Sequence, residues 1–418
     1  MAELKRELGL LDALAIGIGA TFGPGIFVLF GVAVRYAGPS VIISFIFTTV
    51  ATALCALCHA ELASMLPKSG GPYVFLKEGF GNLVGFVVGW NSIVALLAWG
   101  GVTALGFAEY LSFFIPVPKL LTAVLLILVF TALNYTGVKL ASRTQIVLTS
   151  IGTLAMLLLI GAGVTHVNSA LYSPMFPYGV IGMLQASLIV FLAFLGFEAI
   201  TGVGEEIKNP HRNLPLSILL TLVIIAAIYI SLAVVAVGTT PWEAIASSEA
   251  PLAYVANSFI PGLGAAFIAA SGVLMCLAIM NVVILLCSRI AFAMARDGLF
   301  PKQLVRTHPK FGTPCNAVLI FGIVLITVLL LTDLNILASV TGVICVVMYA
   351  LINLAVIPLR RRETSNHGFK VPLYPATPIL GAALLTPLLI NSDSYSYVII
   401  LVWTSIGLVY YFAKSRTS

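Results

Sequence analysis

Apolar residues in this chain fall in long continuous runs separated by short polar stretches, not in the alternation of half-buried strands or the one-sided stripe of surface helices. About 20 apolar residues carry a helix across the hydrocarbon core of a bilayer. Runs of that order occupy approximately residues 12–36, 41–66, 82–115, 119–137, 144–165, 179–204, 214–238, 263–295, 315–332, 334–358, 376–391 and 396–413. The eleventh is the shortest and holds Pro378 and Pro387. Continuous runs exclude a transmembrane barrel, whose strands alternate between lipid and lumen. The pattern predicts an all-α polytopic membrane protein of about twelve transmembrane helices, with residues 1–418 forming one transmembrane domain.

Two runs are interrupted at matching places. The first contains Gly17-Ile18-Gly19-Ala20-Thr21-Phe22-Gly23-Pro24-Gly25, and the sixth contains Phe194-Leu195-Gly196-Phe197-Glu198-Ala199-Ile200-Thr201-Gly202. A bilayer tolerates unwound backbone only where it is buried in protein or lines a cavity, and paired breaks in two halves of a chain point to a transport site near the midplane. In the first run Pro24 stops a regular helix, and a new half-helix restarting at Pro24-Gly25-Ile26-Phe27 aims free N–H groups at the cavity, which suits a carboxylate. The alternative is a kink or a glycine packing face, since Gly19 and Gly23 have small-xxx-small spacing. In the sixth run unwound carbonyls suit an ammonium group, with Phe191 or Phe194 covering the ligand or simply packing. Glu198 is costly inside a membrane, so it reads as a proton carrier, a gate, or an acid bonded to the amides that the unwinding exposes.

If spans one to five and six to ten are two halves, repeat one covers about 11–165 and repeat two about 179–358. An odd number of spans per half inverts the second relative to the first. Helices 11 and 12, about 376–413, then lie outside the repeat as a peripheral or dimerising pair, which leaves a homodimer open. Loops are short except on one side, where 67–81, 205–213, 296–314 and 359–375 carry most of the polar sequence.

Charge orients this scheme. With the N-terminus in the cytoplasm, Lys5, Arg6, Lys68, Lys77, Lys139, Arg143, Lys208, Arg212, Arg296, Lys302, Arg306, Lys310, Arg360, Arg361, Arg362, Lys370, Lys414 and Arg416 are inside and Arg35 and Lys119 outside, 18 against 2, with Arg289 left in the eighth span. This bias predicts a multi-pass protein of the cytoplasmic membrane with both termini cytoplasmic. The net charge of +6 follows from that topology and calls for no nucleic-acid partner. Composition agrees with a lipid-embedded chain, at 60% hydrophobic, 9% charged and a mean hydropathy of +1.11. The start Met1-Ala2-Glu3-Leu4-Lys5-Arg6-Glu7 mixes acids and bases ahead of a run without a small-residue cleavage site, so the first helix reads as retained.

No set of residues suggests an enzyme. His59-Ala60-Glu61 does not supply a zinc ligand set, and His166, His211, His308 and His367 fall in predicted loops, so no metal or cofactor is expected. All six cysteines lie in or at the edges of spans, where Cys55-x-x-Cys58 reads as packing. Glu61 and Glu109 sit near span ends, within reach of the interface. Asn281 and Arg289 are unusual in lipid and are expected to face the bundle interior, as bonding groups or as ligand contacts.

Five stretches, taken in order, resemble the amino acid–polyamine–organocation family of amino-acid permeases. They are Ile18-Gly19-Ala20-Thr21-Phe22-Gly23-Pro24-Gly25-Ile26-Phe27, Ala60-Glu61-Leu62-Ala63-Ser64-Met65-Leu66-Pro67-Lys68-Ser69-Gly70-Gly71-Pro72-Tyr73, and Gly196-Phe197-Glu198. The others are Glu205-Glu206-Ile207-Lys208-Asn209-Pro210-His211-Arg212-Asn213-Leu214-Pro215 and Ser288-Arg289 with Met294-Ala295-Arg296-Asp297-Gly298-Leu299-Phe300-Pro301. The resemblance implies a leucine-transporter-type 5+5 inverted repeat with helices 1 and 6 broken. It implies a substrate carboxylate on the amides of Gly23, Gly25 and Ile26 around Pro24, and an ammonium on carbonyls near Thr21, Leu192 and Leu195. It also implies a side-chain pocket along Leu96, Gly100 and Thr103. Three positions depart from the family pattern. Pro24 stands where a serine is common, Leu192 where a large aromatic gate is common, and Gly152 near the position of a coupling lysine in some relatives.

The expected function is secondary active transport of a free amino acid by alternating access. Leu96, Gly100, Phe194 and Phe197 favour a neutral substrate. Coupling to a proton through Glu198, coupling to sodium, exchange and facilitated passage all remain open, as do a channel or a non-transporting amino-acid receptor of the same fold.

Overall fold

The computed structural model describes residues 6–27, 29–248, 250–309, 312–362, 368–389 and 394–415. Lys5, Lys310, His367 and Arg416, named above, lie outside the described residues, as do the side chains of Pro24 and Lys139. Among the described residues the structure is helical, and the only β-type pairing is an isolated bridge between Leu8 and Ile207.

The first span comprises α1 (Leu10–Thr21), α2 (Pro24–Phe27) and α3 (Leu29–Ala37), and is followed by α4 (Val41–Met65), α5 (Pro72–Phe80), α6 (Asn82–Ser112), α7 (Lys119–Tyr135) and α8 (Val138–Gly163). The second part runs through α9 (Gly179–Ala193), a 3-10 helix (Phe197–Glu206), α10 (Pro210–Thr239), α11 (Trp242–Ser247), α12 (Pro251–Phe259), α13 (Gly264–Arg296), α14 (Cys315–Leu331), α15 (Leu334–Arg362), α16 (Ala376–Leu385) and α17 (Ser394–Ser415). Nine segments are long and apolar enough to cross a membrane, and three shorter apolar helices, Lys119–Tyr135, Cys315–Leu331 and Ala376–Leu389, join them among the described residues. The chain is an all-α polytopic membrane protein.

Two connections read as loops carry helices. Residues 72–80 form α5, which starts where Gly70 and Gly71 turn at φ 117° and 46° and Pro72 takes the first helical position, its fixed φ suiting a helix start. Tyr73, Val74, Phe75 and Leu76 of this helix are buried. On the opposite side the connection between the seventh and eighth spans is long, not short as expected, and holds α11 and α12. Ile245, Leu252 and Val255 of these helices join the core.

In the interior, α1, α4, α10 and the 3-10 helix pack together, while α6 lies against α13, α7 and α14. α8 touches both groups through α1 and α13, and α15 packs on α6, α4 and α5. Outward faces are apolar, as lipid requires: Leu125 and Val129 on α7, Leu154 and Leu158 on α8, Ile323 on α14 and Leu401 and Val409 on α17. α17 is fastened to α6 by Trp90, which stacks on Trp403 at 4.7 Å and donates its indole N–H to the Trp403 carbonyl at 3.0 Å.

Candidate functional site

The first span leaves helical geometry at Phe22 (φ −84°, ψ 94°) and resumes at Pro24. The sixth leaves it after Ala193: Phe194 N–H bonds back to the Phe191 carbonyl, and Gly196 turns left-handed at φ 115° before the 3-10 helix begins. Glycine permits both features, and here it also permits contact. A Cβ on Gly196 would lie 2.4 Å from the Ala20 carbonyl oxygen, and one on Gly25 would lie 2.5 Å from Ala193 Cα. The two breaks therefore touch backbone to backbone.

Beside this crossing is a cavity of about 70 Å³. Ala20, Leu195, Gly196, Glu198 and Ala199 of the breaks line it, together with Ser92, Ala95, Leu96 and Trp99 of α6. Ile279, Val282, Val283 and Leu286 of α13 and Thr341, Cys345 and Met348 of α15 complete most of the wall. Glu198 is the charged side chain among the described lining residues, and its Oε2 accepts the Gly196 N–H at 3.0 Å.

Beyond the first break lies a buried aromatic cluster. Tyr229 packs on Phe22 at 5.4 Å, Phe194 at 5.3 Å and Phe45 at 5.9 Å, and Phe27 meets Tyr110 at 5.6 Å. Towards the end that carries the 67–81 and 205–213 connections there is a polar layer instead. Arg289 Nε pairs with Glu206 at 2.8 Å, and Arg296 holds Glu205 through two nitrogens at 2.8 and 3.1 Å. The Ser69 N–H donates to Glu205, and Lys77 and the Tyr73 hydroxyl both donate to Asp297 Oδ2, at 2.7 and 2.6 Å. Burial, and then the bond to the Asp297 carboxylate, push the Tyr73 phenol up, so it remains a donor. The Gly70-Gly71 turn rests on the 3-10 helix: Gly70 N–H reaches the Gly202 carbonyl at 3.4 Å, and a Cβ on Gly71 would meet Thr201 Oγ1 at 2.7 Å.

The residues singled out from sequence divide into groups. Leu96, Leu195 and Glu198 lie on the cavity wall. Gly23 sits behind Ile279, whose Cδ1 would be 2.0 Å from a Gly23 Cβ, so a lining side chain covers that part of the break. Among the described residues the N–H groups of Gly23 and Gly25 meet no backbone carbonyl, whereas Ile26 N–H already donates to the Gly23 carbonyl at 3.0 Å. The Thr21 carbonyl accepts the Tyr229 hydroxyl at 3.0 Å, and the Thr21 hydroxyl bonds to Gly17. Gly100 faces Val283 and Leu325, Thr103 bonds back to the Trp99 carbonyl, and Leu192 packs on Gly342. Phe194 belongs to the aromatic cluster, and Phe191 and Phe197 surround Tyr349 at 5.7 and 5.6 Å.

Other expectations change. Glu61 is enclosed in protein and not exposed. It pairs with Arg360 at 3.2 Å and accepts the Val371 N–H at 2.6 Å. Asn281 and Arg289 are bonding groups. Asn134 Nδ2 donates to Asn281 Oδ1, Asn281 Nδ2 to Gln145 Oε1, and Gln145 Nε2 to Thr149 Oγ1. Thr149 ends that chain on the Ala15 carbonyl of α1 at 3.1 Å. Gly19 makes the approach possible, since a Cβ there would stand 1.9 Å from Gln145 Nε2.

Sequence reading missed Ser92, Ala95 and Trp99, Ile279 and Val283, and Thr341, Cys345 and Met348. Helical spacing leads to some of them only once one residue of the face is known: from Leu96 it gives 92, 95 and 99 on one face of α6, and 279, 282, 283 and 286 likewise share one face of α13.

Residues 8–412 match the family described as "Amino acid permease". The chain is 33% identical to a protein named branched-chain amino acid permease BcaP of Bacillus subtilis (strain 168), over 99% of its own length and 94% of the relative's. It is 30% identical, with the same coverage, to a methylthioribose transporter of that organism. A protein named cationic amino acid transporter 4, vacuolar, of Arabidopsis thaliana is 31% identical over 86% of this chain and 64% of the longer relative.

Proposed function

We propose, since this chain belongs to the amino acid permease family, that it carries a neutral aliphatic amino acid across the cytoplasmic membrane by alternating access, coupled to protons through Glu198. The family and its named relatives are permeases and transporters, not enzymes, and the chain is a multi-pass membrane protein. The observation that carries the reading is the cavity at the contact of the two breaks, apolar on α6 and α13 and bearing one carboxylate among its described lining residues.

In this reading the substrate carboxylate lies on the amides of Gly23 and Gly25 once Ile279 turns aside, and the ammonium lies between the Leu192 and Leu195 carbonyls and Glu198. Ile26 joins only if its N–H leaves the Gly23 carbonyl. The side chain rests on Ala95, Leu96, Trp99 and Val283. A cationic side chain finds a single acid there, which the substrate's own ammonium already occupies. The name of the Bacillus branched-chain permease is in keeping with this apolar wall. The polar layer and the basic loops face the cytoplasm, and the two five-span halves move as inverted repeats about the fixed site.

A thermal-shift screen of the purified protein tests substrate class, because a ligand that binds the folded state stabilises it by about 2.7 kcal/mol at a hundredfold excess over its Kd. Leucine, isoleucine and valine are expected to raise the melting temperature, and lysine, arginine and glutamate to leave it unchanged. Stabilisation by methylthioribose or by cationic amino acids alone contradicts the proposal. Ala95→Phe, which fills the cavity from α6, is expected to remove leucine stabilisation and uptake while preserving the fold.

A further inference from the structure

Behind Glu198, outside the lining of the cavity, two buried side chains carry polar atoms that make no hydrogen bond of normal geometry. His59 is fully buried on α4 and packs edge to face on Phe197 at 5.4 Å and on Tyr349 at 5.0 Å. Its Nδ1 lies 2.8 Å from the Cys55 carbonyl, which can only accept. Nδ1 therefore carries the ring hydrogen, and in the neutral ring Nε2 is a bare lone pair. Nε2 has no partner. Tyr349, fully buried on α15, has a hydroxyl that makes no hydrogen bond of normal geometry, yet that hydroxyl lies beside the Glu198 carboxyl. Buried donors and acceptors are normally paired, so two unpaired atoms on touching side chains next to a carboxylate call for an explanation.

We infer that Glu198, Tyr349 and His59 form a proton relay, with His59 Nε2 holding the proton that Glu198 gives up when the substrate ammonium binds. The inference rests on the assignment of Glu198 as the coupling group. His59 Nε2 and the Tyr349 hydroxyl are not bonded in this state, so the transfer needs the two touching side chains to close to hydrogen-bond distance; the Glu198 proton then passes to the Tyr349 oxygen as the tyrosine O–H proton passes to Nε2, leaving a carboxylate, a neutral tyrosine and an imidazolium. An ammonium next to Glu198 favours its charged form and drives the transfer, and loss of the substrate returns the proton. The groups around His59 permit this. α15 presents Tyr349 and Cys345, and the 3-10 helix presents Glu198. α4 itself presents Cys55, which accepts from Asn353, with Cys58 and the Arg360-paired Glu61. On α10, Tyr229 is engaged with Thr21 and His211 with Ser64, and α9 and α16 contain no titratable side chain.

The test is uptake by the full-length protein in liposomes, with Tyr349→Phe, which removes one oxygen, and His59→Phe, which keeps the ring contacts. Both are expected to lose proton-driven leucine accumulation by about tenfold or more, as general acid–base groups do, while leucine counterflow, which needs no net proton movement, falls far less. Glu198→Gln is expected to abolish accumulation and flatten the pH profile. If Tyr349→Phe and His59→Phe accumulate leucine like wild type while Glu198→Gln does not, the relay is wrong and the coupling assignment survives. Should Glu198→Gln retain the wild-type pH profile, the coupling assignment itself is wrong. Where His59→Phe fails to fold, Tyr349→Phe decides.

Discussion

Gly196→Ala is expected to abolish transport. The left-handed turn at φ 115° costs a side-chain-bearing residue on the order of 1–3 kcal/mol, and space adds to this. The new Cβ would lie 2.4 Å from the Ala20 oxygen, 2.5 Å from its carbonyl carbon and 2.8 Å from the Thr21 nitrogen. All three are backbone atoms, so no rotamer change relieves the contact, and the broken ends of the first and sixth spans must separate. Counterflow and melting temperature measure the effect. Gly161, whose Cβ would meet nothing within 4 Å, supplies the control, and Gly161→Ala should behave as wild type. Gly25→Ala, facing Ala193 backbone, should resemble Gly196→Ala, so its loss of binding by itself would not identify a carboxylate contact. Wild-type counterflow in Gly196→Ala would show that transport does not need the two breaks in contact.

The second large effect belongs to the ion pair of Arg289 and Glu206, whose side chains are 1% and 5% exposed. Removing one member of such a pair leaves a buried uncompensated charge, which costs about 3–5 kcal/mol. Arg289→Met is expected to lose that much stability, and Arg289→Met with Glu206→Gln to regain most of it, read as melting temperatures in detergent. Arg296 and Glu205, 26% and 19% exposed, form the nearby comparison. Solvent screens that pair more, so Arg296→Met should cost less than Arg289→Met. Equal losses at the two arginines, or no recovery in the double variant, would mean that burial of the pair does not govern this end of the protein.

Sequence revealed the breaks because glycine is conspicuous where backbones touch. Gly25, Gly196 and the Gly70-Gly71 turn each meet a neighbour that leaves no room for a side chain. It did not reveal which face of α6 meets the cavity. Leu96 lines the cavity while Gly100 and Thr103 pack elsewhere, since a helix apolar on all sides carries no contrast to mark one face as ligand-facing. The partners of Glu61, Arg360 and the Val371 amide, lie about 300 residues away and leave no local trace at position 61. Likewise the amide chain from Asn134 to Thr149 joins the consecutive helices α7 and α8 through Asn281 of α13, which is 147 residues from Asn134 and 136 from Gln145, and only Asn281 within it stood out as a polar residue in lipid. Phe191 or Phe194 looked like a cover for the ligand, or like packing, because both stand beside the break of the sixth span, and Phe194 is the nearer of the two. In space it turns towards Tyr229 and Phe45 instead.

A cavity at the two breaks that carries a neutral aliphatic amino acid by alternating access, as proposed, exchanges substrate across the membrane. Counterflow of labelled leucine in proteoliposomes measures that exchange directly. Unlabelled leucine or valine inside the vesicles is expected to accelerate entry of the label, lysine inside to leave it unchanged, and Ala95→Phe to remove the acceleration. Leucine entry indifferent to what is inside, or acceleration by lysine but not by valine, would contradict the proposal.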